Sequence, residues 1–296
     1  MENATDRKST NISKAKNINE VLEIASGNWN AYPIDIMTNS GIGLPDHKAI
    51  LRSDNNYPLG IVGTKYELIN NNEAFSFFDA LVTENKAEYK SYREFDGGRK
   101  SVITARYNQN KAIRIDDHVE SEITLINSFD GSTSFKVMFS ALRLACTNGM
   151  VSRDKMHTIS VRHTKNKNDR LQDALKVLTS AENSWQVFLN NCEQMNQKAI
   201  DTNMVETFIN SLVGIDLEAE KEPSARKLNT AEKITELVYD GKGNKGESVW
   251  DLYNGATEYY DHYIGSNDSN REKSSLFGDS FNKKAKALEL ALALTE

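Results

Sequence analysis

The chain predicts an α+β fold: an antiparallel β-meander core packed on helices, followed by a long amphipathic helix and a helical C-terminal region. Three observations carry that expectation. Two β-rich runs flank the turn triplet Asp96-Gly97-Gly98, two more flank Asp130-Gly131, and beyond Asn168 the apolar period changes from two to about 3.6. Glycine in each turn supplies the positive φ that a tight reversal between strands demands. The expected partition is a flexible N-terminal arm over 1–18, a mixed α+β core over 19–170 and a helical region packed on that core over 171–296.

The opening eighteen residues are polar and rich in Asn, Ser and Lys, so they read as frayed or as a contact arm, with order beginning near Ile18. From there to Ile69, the runs NAYPIDIMT, HKAILRS and LGIVGTKYELI are β-leaning and are separated by NSGIGLPD and SDNNYP, which predicts a small antiparallel sheet. Asn70, Asn71 or Asn72 then caps a helix whose stripe is Ala74, Phe75, Phe77, Phe78, Leu81 and Val82. The hairpins AEYKSYREFDGGRKSVITARY and VESEITLINSFDGSTSFKVMFSALRLAC supply four strands of a meander. A long helix follows on the seam Leu171, Leu175, Leu178, Ala181, Trp185, Phe188, Cys192, Met195 and Ala199. Shorter helices are expected over Met204–Val213, Thr230–Tyr239, Val249–Tyr263 and Phe281–Leu294, with LEAEKEPSARKLN, DGKGNKGE and GSNDSNREKSS as polar connections.

The chain carries 36 basic and 42 acidic residues, a formal net charge of −6. That balance is uneven along the sequence. Between Gly131 and Lys176, nine Lys or Arg face three acids, so a cationic stretch of +6 is set in a chain that is otherwise acidic. A local concentration of this kind is suited to a polyanion, whereas the overall charge disfavours a nonspecific coat on DNA. Arg143, Arg153, Arg162 and Arg170 offer planar forks for phosphate, and Lys136, Lys155, Lys165 and Lys167 add point charges. Tyr107 and Phe135, with Phe129 and Phe139 nearby, are candidates to stack on bases. The bland alternative is a solvated charged face over core phenylalanines.

Other chemistry finds less support. No apolar run reaches the length of a membrane span and the first residues do not resemble a signal peptide, which leads us to expect a cytoplasmic protein. Cys146 and Cys192 stand far apart without a CxxC neighbour, so neither a disulfide framework nor a zinc site is expected. His157 and His163 are too distant along a strand to share a metal. Asp116, Asp117, His118, Glu120 and Glu122 could hold a divalent cation for a nuclease, but a surface turn also explains them. Glu258 and His262 share a helix face at i and i+4, as a local hydrogen bond requires. There is no GxSxG, HExxH, P-loop or dinucleotide fingerprint, so neither an enzyme nor a cofactor is expected.

The strings LGIVGTKYELINNNEAFSFFDALV, RLACTNGM, VRHTKN, VWDLYNGATEYYDHY and FGDSFNKKAKALELAL resemble, in this order, the phage and plasmid-like proteins built on a domain of unknown function. The resemblance runs from about Trp29 to the C-terminus. It implies a mobile-element origin and one continuous domain, and it assigns no activity. The pattern of helix, meander and long helix is also similar to single-strand annealing proteins such as Red beta, Erf and the eukaryotic recombination mediators. That similarity implies a homo-oligomeric ring or filament holding single-stranded DNA in a basic groove. It would place Arg99, Lys100, Arg106, Lys136, Arg143 and the Arg153, Lys155, Arg162, Lys165, Lys167 and Arg170 set along the groove. The function expected from these observations is single-stranded nucleic-acid binding that promotes strand annealing in recombination or replication. The alternative is a module that binds a host protein and interferes with restriction or defence through an acidic, DNA-mimicking surface.

Overall fold

A computed structural model describes residues 8–133, 135–145, 147–151, 158–161, 185–216, 218–219 and 222–296. The fold is mixed α+β, with antiparallel sheets and helices. It opens with β1 (Thr10–Asn11), α1 (Ile18–Ile24), β2 (Ala31–Met37), β3 (Gly43–Arg52), β4 (Pro58–Gly63), α2 (Asn71–Phe75) and α3 (Phe77–Thr83). The meander is β5 (Ala87–Phe95), β6 (Lys100–Arg114), β7 (Asp117–Ser128) and β8 (Phe135–Arg143), with β9 (Asn148–Val151) and β10 (Thr158–Val161) both paired to β8. Strand order in the larger sheet is β1-β5-β6-β7-β8-β10, and β2-β3-β4 form a second sheet.

Contacts divide the chain into two compact units, Met1–Asn108 with Glu122–Phe139 and Lys155–Ala181, and Gln109–Ser121 with Ser140–Asp154 and Glu182–Glu296. This partition differs from the break expected at residue 170 and from the one continuous domain implied by resemblance. The reason is local: β6, β7 and β8 are long enough that each contributes residues to both units.

In the first unit, the expected arm is partly structured. Thr10 and Asn11 pair with Tyr92 and Ser91 of β5, and Ile12 and Ala15 are buried. Polar composition hid this because a two-residue edge strand needs only backbone groups. Helix α1 lies where the sequence offered no separate helix signal; the Asn17 side chain accepts the Glu20 amide at 3.0 Å, and Ile18, Val21 and Leu22 are buried. The helix expected after Asn70 is present but broken at Ser76 into α2 and α3. Asn70 does not cap it by its side chain, because its Oδ1 accepts the Ala31 amide at 2.7 Å. At the β5–β6 reversal Asp96, Gly97 and Gly98 all have positive φ, and a Cβ on Gly98 would stand 2.8 Å from the Trp29 ring. One core contains Phe75, Phe78, Tyr89, Tyr92, Ile103 and Ile123. A second contains Trp29, Ile50, Leu59, Val62 and Phe129.

The second unit is mainly helical. Residues 185–197 form α4, the described part of the long helix expected over 171–199; Leu171, Leu175, Leu178 and Ala181 lie outside the described residues. Then come α5 (Thr202–Val213), α6 (Ala225–Asp240), α7 (Val249–Glu258), a π-helical turn over Tyr259–Tyr263, α8 (Asp268–Phe277) and α9 (Asp279–Ala293). Helix α8 occupies a stretch expected to be a polar connection; its Asn267 cap accepts the Asn270 amide at 2.9 Å, and none of its residues is buried. Every residue of α7 is buried, and Ser248 with Asp251 forms a capping box at its start. No helix among the described residues is long and apolar enough to cross a membrane.

Candidate nucleic-acid interface

Part of the expected basic groove lies on one sheet face of the first unit. Register places Lys100 and Arg106 of β6 on the face opposite Ile103, Ala105 and Tyr107, and Lys136 of β8 lies opposite Phe135 and Val137. That face is not simply cationic. Arg106 is 3.8 Å from Glu88, Lys100 is 4.0 Å from Asp130, and Lys90 is paired with Glu122. Arg99 is half-buried beside the turn. The proposed stacking rings are corrected: Tyr107 and Phe135 belong to the buried core, with Tyr107 edge-on to Phe139 at 6.3 Å, so neither offers a face to a base. Arg153, Lys155, Arg162, Lys165, Lys167 and Arg170 lie outside the described residues.

Arg143 is also corrected as a phosphate contact. It is 0% exposed, and its guanidinium grips both Asp117 oxygens at 2.6 and 2.5 Å. Its remaining donors go to Gly243 O at 2.8 Å, Asn244 Oδ1 at 2.8 Å and Lys242 O at 3.2 Å. All five N–H groups are therefore engaged inside the second unit. Asp117 also accepts the Trp250 indole N–H at 2.8 Å, so the carboxylate considered for a divalent cation is committed to a guanidinium and an indole.

A part-buried cation and a buried one repeat this pattern. Arg114 clasps both Asp251 oxygens at 2.8 Å and donates to Ser248 Oγ at 2.7 Å and Asn196 Oδ1 at 2.6 Å. Burial pulls the Asp251 carboxyl upward, yet the Arg114 bonds and charge, joined by the Glu247 and Lys245 amides, hold it below the usual carboxylate range. Lys284 spends its three donors on Asp261 at 2.7 Å, Ser275 Oγ at 2.6 Å and Gly149 O at 2.9 Å. The Ser275–Lys284 contact superficially suits a nucleophile and base, but Lys284 donates in it and the Ser275 hydroxyl donates to Asp261 at 2.6 Å, so the lysine does not receive the serine proton. Arg143, Gly149, Trp250, Asp251, Asp261 and Lys284 all fall within the strings that carry the family resemblance. The strings that hold these six residues, RLACTNGM, VWDLYNGATEYYDHY and FGDSFNKKAKALELAL, thus supply polar contacts inside the second unit.

The sequence did not single out the surface that gathers cations and exposed rings. Arg226 and Lys227 occupy the first turn of α6, where no acidic residue answers them and Ser224 makes no side-chain cap bond. Cations are disfavoured at the positive end of a helix dipole, so this placement concentrates one sign of charge. Next to it, the π-helical turn brings the Tyr259 and Tyr263 rings parallel, 3° apart in plane with centroids at 6.3 Å, and Tyr263 is 50% exposed. The Tyr259 hydroxyl meets Thr230 Oγ1 at 3.0 Å, and Lys233 Nζ lies 4.8 Å over the Tyr263 ring while bonded to Glu236 at 2.6 Å. Lys283 of α9 and Asp279 complete the walls.

The resulting groove has two adjoining hollows of about 430 and 500 Å³. On the same helix as Lys283, the Lys286 ammonium is pushed below the usual lysine range by burial and then by the charge of Lys283. Lys227 has a second task, since its Nζ bonds the Gly214 carbonyl at the end of α5. Four basic side chains against one wall carboxylate, with an exposed tyrosine between them, suit a phosphorylated ligand with a planar group. The traceable signal was ARKLNTAEK followed by EYYDHY, two segments 33 residues apart from Ala225 to Glu258 whose convergence depends on helix packing.

Compared with known proteins, residues 58–285 match the family described as "Domain of unknown function (DUF932)". No curated protein and no solved structure matches the chain.

Proposed function

We propose, from the premise that the chain belongs to the DUF932 family and takes no named activity from it, that the protein binds single-stranded DNA through the groove between α6, the π-helical turn and α9. The carrying observation is that Arg226, Lys227, Lys233 and Lys283 surround the parallel Tyr259 and Tyr263 rings, of which Tyr263 is exposed. Phosphates meet the cations, and bases meet tyrosine without hydrogen-bonded readout of their edges, which is the chemistry of sequence-tolerant strand binding. Strand annealing within an oligomer is the role in which this binding would serve.

Fluorescence anisotropy of a labelled thymidine oligonucleotide, titrated over a range of salt, tests the proposal. Affinity should fall steeply with salt, and Arg226→Ala should reduce the log–log slope by about 1. Absence of binding at low salt, or a slope indifferent to Arg226, would overturn it. An oligonucleotide-indifferent protein that instead captures a stoichiometric host protein would favour the interference alternative.

A further inference from the structure

Resting on that reading, we infer that the groove is built for a dinucleotide step, with Arg226 on the phosphate that joins the two nucleotides. Both hollows are lined by Arg226, Thr230, Tyr259 and Tyr263, so these four residues form the ridge the hollows share. Each hollow lies within the range of roughly 300–1,000 Å³ found for small-ligand sites. Each also has cations of its own: Lys227 and Lys283 in one, Lys233 in the other. A segment crossing the ridge therefore meets charge at three places, and the middle one is the shared guanidinium. Arg226 is exposed at the start of α6, and its planar fork suits two phosphate oxygens in a way an ammonium does not.

The two hollows are not equivalent. Asp279 stands only in the first, where a carboxylate repels phosphate and accepts from N–H or O–H groups. A base amino group therefore suits the wall near Asp279, and the phosphates are confined to the Lys227, Lys283 and Arg226 sides. This asymmetry gives the bound step a direction. It also disfavours duplex, because a base stacked between its neighbours in a helix has no open face for Tyr263.

The test is calorimetric titration of the full chain at low salt with a 5′-phosphorylated deoxycytidine dinucleotide, the same dinucleotide carrying a neutral methylphosphonate at its central linkage, and deoxycytidine monophosphate. The dinucleotide should bind about tenfold more tightly than the monophosphate, as expected when a charge-assisted contact is added. The methylphosphonate should lose most of that gain in the native protein and almost none in Arg226→Ala, whose exposed position leaves the fold intact; Arg226→Lys should fall between. Equal affinity for dinucleotide and monophosphate overturns the inference, as does a methylphosphonate penalty that persists in Arg226→Ala. If a long thymidine oligonucleotide still binds with salt dependence in that case, the single-strand reading survives. If the oligonucleotide does not bind either, both fall.

Discussion

A guanidinium presents five N–H donors in one plane, and its use depends on how many are already taken. In Arg143 all five are engaged within the buried network of Asp117, Gly243, Asn244 and Lys242. Arg226 sits exposed at a helix start. Arg143 stands in the apolar run ALRLA and Arg226 in the polar SARKLN, but the sequence does not say which partners take the donors of either. Removing one partner of a buried pair leaves the other charge uncompensated, so Arg143→Ala should lower unfolding free energy by about 3–5 kcal/mol in urea titrations. Asp117→Asn should cost a comparable amount, because it leaves the buried guanidinium without its counter-charge and turns an amide NH2 toward an N–H donor. At the groove, Tyr263→Ala should weaken oligonucleotide binding by about 1–3 kcal/mol in anisotropy titrations, and Tyr263→Phe should retain most of the affinity, because stacking needs the ring and not the hydroxyl. Equal losses in both variants would point away from stacking.

At the scale of elements, α7 shows what the strings of the family resemblance accomplish. All ten residues are buried, and Gly255 is placed so that a Cβ would stand 2.8 Å from the Val238 amide nitrogen and 2.9 Å from its Cγ2. Backbone cannot swing aside as a side-chain tip can, so Gly255→Ala should force α6 and α7 apart at a cost of about 1–3 kcal/mol. A lowered denaturation midpoint relative to Gly43→Ala, where an added methyl meets nothing within 4 Å, is the check. The hairpins were legible because Asp96-Gly97-Gly98 and Asp130-Gly131 state their geometry locally: Gly131 has φ +71°, and Asp130 accepts from Ser128 and Ser132 at 2.6 and 2.9 Å. Helix α8 was not, since its stability begins with an Asn267 cap and its residues bury nothing that a periodic pattern would reveal.

For the molecule as a whole, acid sensitivity should come from both units. The Asp130 carboxyl is raised by burial but held lower overall by the Ser128 and Ser132 hydrogen bonds and by Lys100, and Asp251 is depressed in the way described above. With folded values below unfolded ones, the unfolded chain binds more protons in the interval between them, so stability rises with pH there. Their contribution is complete above about pH 4 and is lost as pH falls through the folded values. Urea midpoints should therefore drop below pH 4, and Asp251→Asn should flatten that drop; an unchanged profile in the variant would remove Asp251 as a source. What the sequence by itself determined was the class: alternation, turn glycines and the switch to helical period set an α+β meander followed by helices, because these signals act over a few residues. The tertiary structure alone decided which charges are available. Burial turned Arg143, Tyr107 and Phe135 inward, and helix packing brought Arg226, Tyr259, Tyr263 and Lys283 to one groove from segments far apart in the chain. Solvent exposure and convergence of distant side chains are properties of packed surfaces, which no local pattern encodes.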